Sequence, residues 1–347
     1  MGPVWLQRLS GFSVHVDKIC YPQWISNEEY CYLRVENFYD YGIGFSGISK
    51  GFNPWLCLRS PNATFYIYKV NINKPDEAKL IKKITKKVKF CIAKEESKLP
   101  FLRGEFIFRR LEDDNFILLI RDSSKYIAYY INKDGKIFKK QALSYDYIKW
   151  DSLDDISPDC TKLLIRERGC LYIKQIGSTI EKKISEPQLY YNDYVKWLNR
   201  ENIVLYRVFH FYAEKKSEQD KYEVYILNDK EEDMQLVFGG PCEDFEKMNS
   251  FLLDAAMSPK SNLLFLSKIG IFGKEYGKWQ MIKDFKKMET EYFYPDISPD
   301  SQKIIGLEDT GNDRPYLQSS EGLNNIGIIE KQYKLKIIEL KDFLKQK

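Results

Sequence analysis

The stretch Asp155-Ile156-Ser157-Pro158-Asp159 leads into the apolar run Leu163-Leu164-Ile165, and the phrase recurs along the chain. Ala256-Met257-Ser258-Pro259-Lys260 precedes Leu263-Leu264-Phe265-Leu266, and Asp296-Ile297-Ser298-Pro299-Asp300 precedes Ile304-Ile305-Gly306-Leu307. Proline presets φ for a tight turn, and the Ser and Asp side chains bond nearby backbone amides. A turn feeding a strand, repeated at intervals, points to a modular β-architecture. The serines are read as structural, because a nucleophile would need partners that the phrase does not bring.

Outward from these copies, the residue before each turn serves as an anchor: Ile156, Met257 and Ile297. Two degenerate copies place Trp there, in Pro22-Gln23-Trp24-Ile25-Ser26-Asn27 and Val195-Lys196-Trp197-Leu198-Asn199-Arg200. A sixth copy runs Phe106-Ile107-Phe108-Arg109, a polar turn, then Phe116-Ile117-Leu118-Leu119-Ile120. The shortest intervals between anchors are about forty residues, the length of one four-stranded propeller blade. Third strands are legible as well, in Tyr126-Ile127-Ala128-Tyr129-Tyr130-Ile131 and Tyr222-Glu223-Val224-Tyr225-Ile226-Leu227. Turn residues such as Asn132-Lys133-Asp134-Gly135 follow them, as hairpins require.

These phrases resemble the WD40-like Ser-Pro-Asp repeats of TolB-like six-bladed β-propellers, across essentially the whole chain. Three positions depart from the family pattern: Cys160 and Ser301 stand where a glycine commonly follows the Asp, and Lys260 replaces the Asp. The resemblance implies an all-β fold of six four-stranded antiparallel blades and carries no catalytic residue with it. The expected arrangement is a single domain over 1–347, with blades near 15–86, 87–146, 147–187, 188–240, 241–288 and 289–347 plus 4–12. The chain ends soon after Leu340, so the N-terminal strand Leu6-Gln7-Arg8-Leu9-Ser10 is expected to complete the last blade and close the ring. A seventh, degenerate copy around Val88 to Ile92 is the open alternative.

Composition agrees with a folded globule and narrows the partners. Of 347 residues, 44% are hydrophobic, and the aromatic share leans on 25 Tyr and 21 Phe, which suit a pleated, half-buried surface. Lys and Arg exceed Asp and Glu by only +4, too little to predict a polyanionic partner. Lys82-Lys83-Ile84-Thr85-Lys86-Lys87-Val88-Lys89 reads as a solvated outer strand whose lysines discourage edge pairing. No run has the length of a membrane-spanning helix, and no secretory leader begins the chain as given. Seven scattered cysteines without a C-x-x-C make free thiols the default. A cytoplasmic location follows by default, and a periplasmic or extracellular one if a leader has been removed.

Several motifs fail on context. Gly42-Ile43-Gly44-Phe45-Ser46-Gly47 matches a dinucleotide-binding fingerprint, but Gly51 and Pro54 deny it the helix that fingerprint needs. Gly47-Ile48-Ser49-Lys50-Gly51 matches a nucleophile elbow without an α/β domain to host it. Asp309-Thr310-Gly311-Asn312-Asp313 has oxygen donors but lacks the bidentate Glu of a calcium loop, so it reads as a polar turn. The acidic run Asp151, Asp154, Asp155 and Asp159 reads as turn chemistry too. No cofactor and no metal is expected.

Function is sought in the extra length, expected at 36–62, 209–221, 268–277 and 308–330. Each stretch is placed between the second and third strands of a blade, and strand alternation sends all such loops to one end of the ring. Elaborated loops on a rigid scaffold commonly form its binding surface. The binding candidates are Phe38, Tyr39, Tyr41, Phe45, Phe52, Trp55, His210, Phe211 and Tyr212, an aromatic set with interspersed glycines. The bland alternative is that these rings only pack the insertion onto the ring. The expected activity is non-catalytic binding of a protein or peptide by a monomer, without nucleic acid. The rival is a carbohydrate-active lyase or hydrolase, or a glycan binder, working at the channel mouth. A catalytic version would draw on Glu36, Asp40 or Asp309 with His210.

Overall fold

The structure, a computed structural model, describes residues 17–36, 41–46, 53–58, 62–87, 91–92, 106–111, 114–122, 125–144, 152–167, 170–178, 181–185, 191–209, 221–230, 234–241, 254–267, 269–284, 292–309, 314–315, 329–330 and 333–341. The first blade comprises β1 (Asp17–Trp24), β2 (Glu29–Glu36), β5 (Asn62–Asn71) and β6 (Lys74–Lys87), paired in that order. Between β2 and β5 lie β3 (Tyr41–Ser46) and β4 (Asn53–Leu58), which pair with each other and with β7 (Cys91–Ile92) as a separate small sheet.

The second blade is β8 (Phe106–Arg110), β9 (Phe116–Asp122), β10 (Lys125–Ile131) and β11 (Ile137–Ser144). The third is β12 (Ser152–Ile156), β13 (Lys162–Glu167), β14 (Cys170–Gln175) and β15 (Glu181–Ser185). The fourth is β16 (Tyr191–Trp197), β17 (Asn202–Phe209), β18 (Lys221–Asn228) and β19 (Met234–Pro241). The fifth is β20 (Ala255–Met257), β21 (Leu263–Leu266), β22 (Gly270–Glu275) and β23 (Lys278–Asp284). In the sixth, the described strands are β24 (Tyr292–Ile297), β25 (Lys303–Asp309) and β28 (Tyr333–Glu339), with the short pair β26 (Arg314–Pro315) and β27 (Ile329–Glu330) between the last two.

The molecule is a six-bladed β-propeller. All strand pairs within a blade are antiparallel, and blade six packs against blade one through β24 and β1. The closing strand expected over 4–12 lies outside the described residues. The possible seventh copy is corrected: Cys91–Ile92 pairs with β4 of the insertion and begins no blade.

The repeat works as its chemistry dictates. Trp24, Ile156, Trp197, Met257 and Ile297 are all buried. In the third blade the Ser157 hydroxyl donates to Asp159 Oδ1 at 2.6 Å and accepts from the Lys162 amide at 2.9 Å. Ser298 repeats this arrangement with Asp300 and Lys303 at the same distances. Burial works against ionisation of Asp159 and Asp300, but the Ser, backbone and Lys contacts prevail and hold both carboxyls below their usual range. Cys160, Ser261 and Ser301 adopt φ of 56°, 54° and 60°. The left-handed bend at the turn explains why glycine suits that position.

Two sequence readings shift. The anchor of the second blade is Arg110, one residue beyond Arg109, since Arg110 faces Phe116 as Trp24 faces Tyr30. The insertion expected at 268–277 does not exist: residues 267–269 join β21 to β22, and Tyr276-Gly277 turns β22 into β23. Its glycines serve close packing and a tight turn. A Cβ on Gly270 would lie 2.2 Å from the Lys283 carbonyl oxygen, and Tyr276 and Gly277 take φ of 50° and 79°, as a two-residue hairpin turn demands.

The lysine run behaves as an outer strand. On β6 Lys86 pairs with Asp122 at 2.9 Å, Lys83 lies over the Tyr66 ring, and Ile84 alone of its neighbours is buried.

Candidate functional site

Strand direction alternates through a blade, so connectors from second to third strand share one end of the ring with the connectors between blades. The β3–β4 pair, its third strand β7 and the β26–β27 pair all emerge there. Within the insertion, Tyr41 lies opposite Leu58, Phe45 opposite Pro54 and Trp55 opposite Gly44. Phe38, Tyr39, Phe52, His210, Phe211 and Tyr212 lie outside the described residues, as does Asp40. Of the rival acid set, Glu36 ends β2 and pairs with Arg34 at 2.9 Å, and Asp309 ends β25 opposite Tyr333.

The channel holds the other constellation, and here the sequence reading missed most. The innermost strands of all six blades line a cavity of about 150 Å³ near their C-terminal ends. Just before each anchor stands a residue facing this axis: Gln23, Arg109, Asp155, Lys196, Ala256 and Asp296. The five polar members build junctions between blades. The Gln23 side-chain oxygen accepts the Arg110 amide at 2.6 Å, joining blades one and two. Arg109 donates to Asp155 at 2.6 Å, joining two and three. Asp155 accepts the Trp197 amide at 2.8 Å, joining three and four.

Lys196 donates to Asp254 at 2.7 Å and to the Ala255 carbonyl at 3.1 Å, joining four and five. Asp254 accepts the Tyr294 amide at 2.8 Å, joining five and six. Asp296 accepts the Trp24 amide at 2.8 Å and closes the ring between six and one. Asp154, also on the cavity wall, pairs with Arg166 at 3.0 Å. The acidic run therefore divides: Asp159 does turn chemistry, while Asp154 and Asp155 belong to the channel. The signal was present in the repeat as a polar residue before four of the five apolar anchors, Ala256 being the exception.

Blades six and one share a further device. Tyr21-Pro22 and Tyr294-Pro295 sit in β-bulges where the register shifts, with φ of 51° and 49° at the two tyrosines. Proline tolerates a bulge because no ladder amide is needed there. Left-handed backbone at a bulky residue costs on the order of 1–3 kcal/mol and clusters at functional sites. The bulges re-aim both side chains onto the cavity wall, their ring centroids 4.4 Å apart. The Tyr21 hydroxyl donates to the Phe106 carbonyl at 3.0 Å, and burial, then the nearby Cys20 and Asp155, push it well above the usual phenol range. Burial also lifts Asp296 to about 6, against the Trp24 amide and the more distant charges of Lys196 and Arg110.

Among the described residues no group of three or more His, Cys, Asp and Glu is placed to hold a metal ion. No helix among them is long and apolar enough to cross a membrane.

No family model and no curated protein matches the chain. Among solved structures it is similar to TolB from Acinetobacter baumannii, at 10% identity and a TM-score of 0.37, over 87% of this chain and 67% of that one. It is also similar to the β-propeller domain of the Trilobed protease from Pyrococcus furiosus, at 11% and 0.37, over 94% and 98%. A third likeness is to oligogalacturonate lyase from Vibrio parahaemolyticus, at 8% and 0.34, over 77% and 93%. Likenesses this slight carry no argument about activity.

Proposed function

We propose that the chain is a non-catalytic binding propeller that holds a protein or peptide partner against the end of the ring where its insertions gather. The observation that carries this reading is the small β3–β4–β7 sheet, in which the connector between blades one and two adds a strand to the insertion of blade one. A rigid ring crowned at one end by extra sheet offers an extended recognition surface. The channel carboxylates support the non-catalytic reading, since Asp155, Asp254 and Asp296 each accept a backbone amide of the next blade. A general acid or base would need such groups for substrate. Kinship with TolB-like propellers is part of the proposal and rests on the Ser-Pro-Asp phrases.

The test is to replace residues 40–59 by a short Gly-Ser linker and compare cross-linked partners of the two proteins in the native host. A partner captured by the intact ring and lost on excision supports the reading. The same partners on both, with an unchanged melt, would sink it. Alanine at Tyr41, Trp55 and Phe211 together should weaken a captured partner by roughly tenfold or more if these rings make the contact.

A further inference from the structure

Three channel carboxylates do one job, and one of them lacks a component that the other two have. Asp155, Asp254 and Asp296 each accept the amide of the following blade at 2.8 Å. The preceding blade supplies a cation to the first two: Arg109 lies 2.6 Å from Asp155, and Lys196 lies 2.7 Å from Asp254. For Asp296 the corresponding position is Ala256, which lines the cavity and brings no charge. Among the described residues none forms an ion pair with Asp296; Arg110 and Lys196 act on it only from farther away. Tyr21 and Tyr294, re-aimed by their bulges, line the same cavity.

From this geometry we infer that the channel binds a small organic cation, a primary alkylammonium, with its charge at Asp296 in place of the missing third cation. The ammonium satisfies the carboxylate as Lys196 satisfies Asp254. The Tyr21 and Tyr294 rings on the same wall cover the alkyl chain. A cavity of about 150 Å³ admits a short chain and refuses a folded partner. The site is separate from the crowned end and stands whether or not that end binds protein.

Titration calorimetry with n-butylammonium chloride, at constant ionic strength and neutral pH, tests the assignment on the whole chain. Saturable one-site binding is expected, with butan-1-ol binding roughly tenfold or more weakly, since a bond to a charged group is worth at least that factor. Asp296→Asn removes the charge and should weaken the amine by a similar factor. Ala256→Lys installs the cation that blades two and four already provide, and should exclude the amine from an otherwise folded ring. The inference is overturned by absent saturable binding, by alcohol that binds as well as amine, or by undiminished amine binding in either folded variant. If a variant does not fold, the comparison of amine with alcohol on the unaltered protein decides.

Discussion

The junction between blades three and four and the one that closes the ring between six and one are built from the same parts. In each, an Asp before the anchor accepts the amide of a buried Trp at 2.8 Å. Around those parts the two differ. Asp155 is held by Arg109, while Asp296 has no ion-pair partner among the described residues. The Trp24 indole donates to the Asp296 carbonyl at 3.2 Å, whereas the Trp197 indole nitrogen is buried without a hydrogen-bond partner. One backbone device is thus combined with two electrostatic settings.

The largest contrast should appear on truncating the two aspartates. Asp155→Ala leaves Arg109 with 13% of its side chain exposed and no partner, and is expected to cost about 3–5 kcal/mol in urea denaturation. Asp296→Ala loses the Trp24 and Ile297 amide contacts and no ion pair, and should cost about 1–2 kcal/mol. Equal losses would show that the ion pair does not distinguish the junctions.

A second difference lies in pH. Because the folded pKa of Asp296, about 6, stands above its ordinary value of 3.8, the folded state binds that proton more tightly. The resulting stabilisation is complete below the ordinary value and is lost as pH rises through 6. It amounts to at most about 3 kcal/mol between pH 4 and 7. Asp296→Asn, whose amide oxygen can still accept from Trp24, should gain on the parent protein by that order as pH rises across this window. Denaturation curves at pH 4, 5.5 and 7 that differ by a constant would refute the shift.

Smaller effects sharpen the indole contrast. Trp24→Phe should cost about 1 kcal/mol more than Trp197→Phe, because only the first discards a satisfied donor. Thermal melts of the two variants measure this directly, and matching losses would contradict it. Smallest, Ser301→Gly should raise stability by about 0.5–1 kcal/mol. It relieves a φ of 60° and removes a buried hydroxyl that has no partner. A lower melting temperature would show that the turn tolerates its serine without strain.

The blades were legible in the sequence because each is announced by a local device. Ser157 and Asp159 make their bonds within five residues, so the meaning of the phrase does not depend on the rest of the ring. The channel was not legible in the same way. Asp296 and Trp24 meet only after the ring has brought together positions separated by 272 in sequence. Asp155 beside Asp154 and Asp159 looked like one more acidic turn. The extra length expected at 268–277 proved to be largely paired strand, where Gly270 answers to the Lys283 carbonyl and lengthens no loop. Of the aromatic candidates, Tyr41, Phe45 and Trp55 fall on paired strands of the insertion, which its glycine content had made look like an open loop.

The strand β7 has a consequence for how the molecule is made. Every strand of the crowning sheet has been synthesised by residue 92, before the second blade begins at Phe106. Closure between Trp24 and Asp296 must wait until residue 296 has left the ribosome, at a cost in search entropy that grows with the intervening length. All residues of the crowning sheet are therefore available to pair while the ring that carries them is still an open arc.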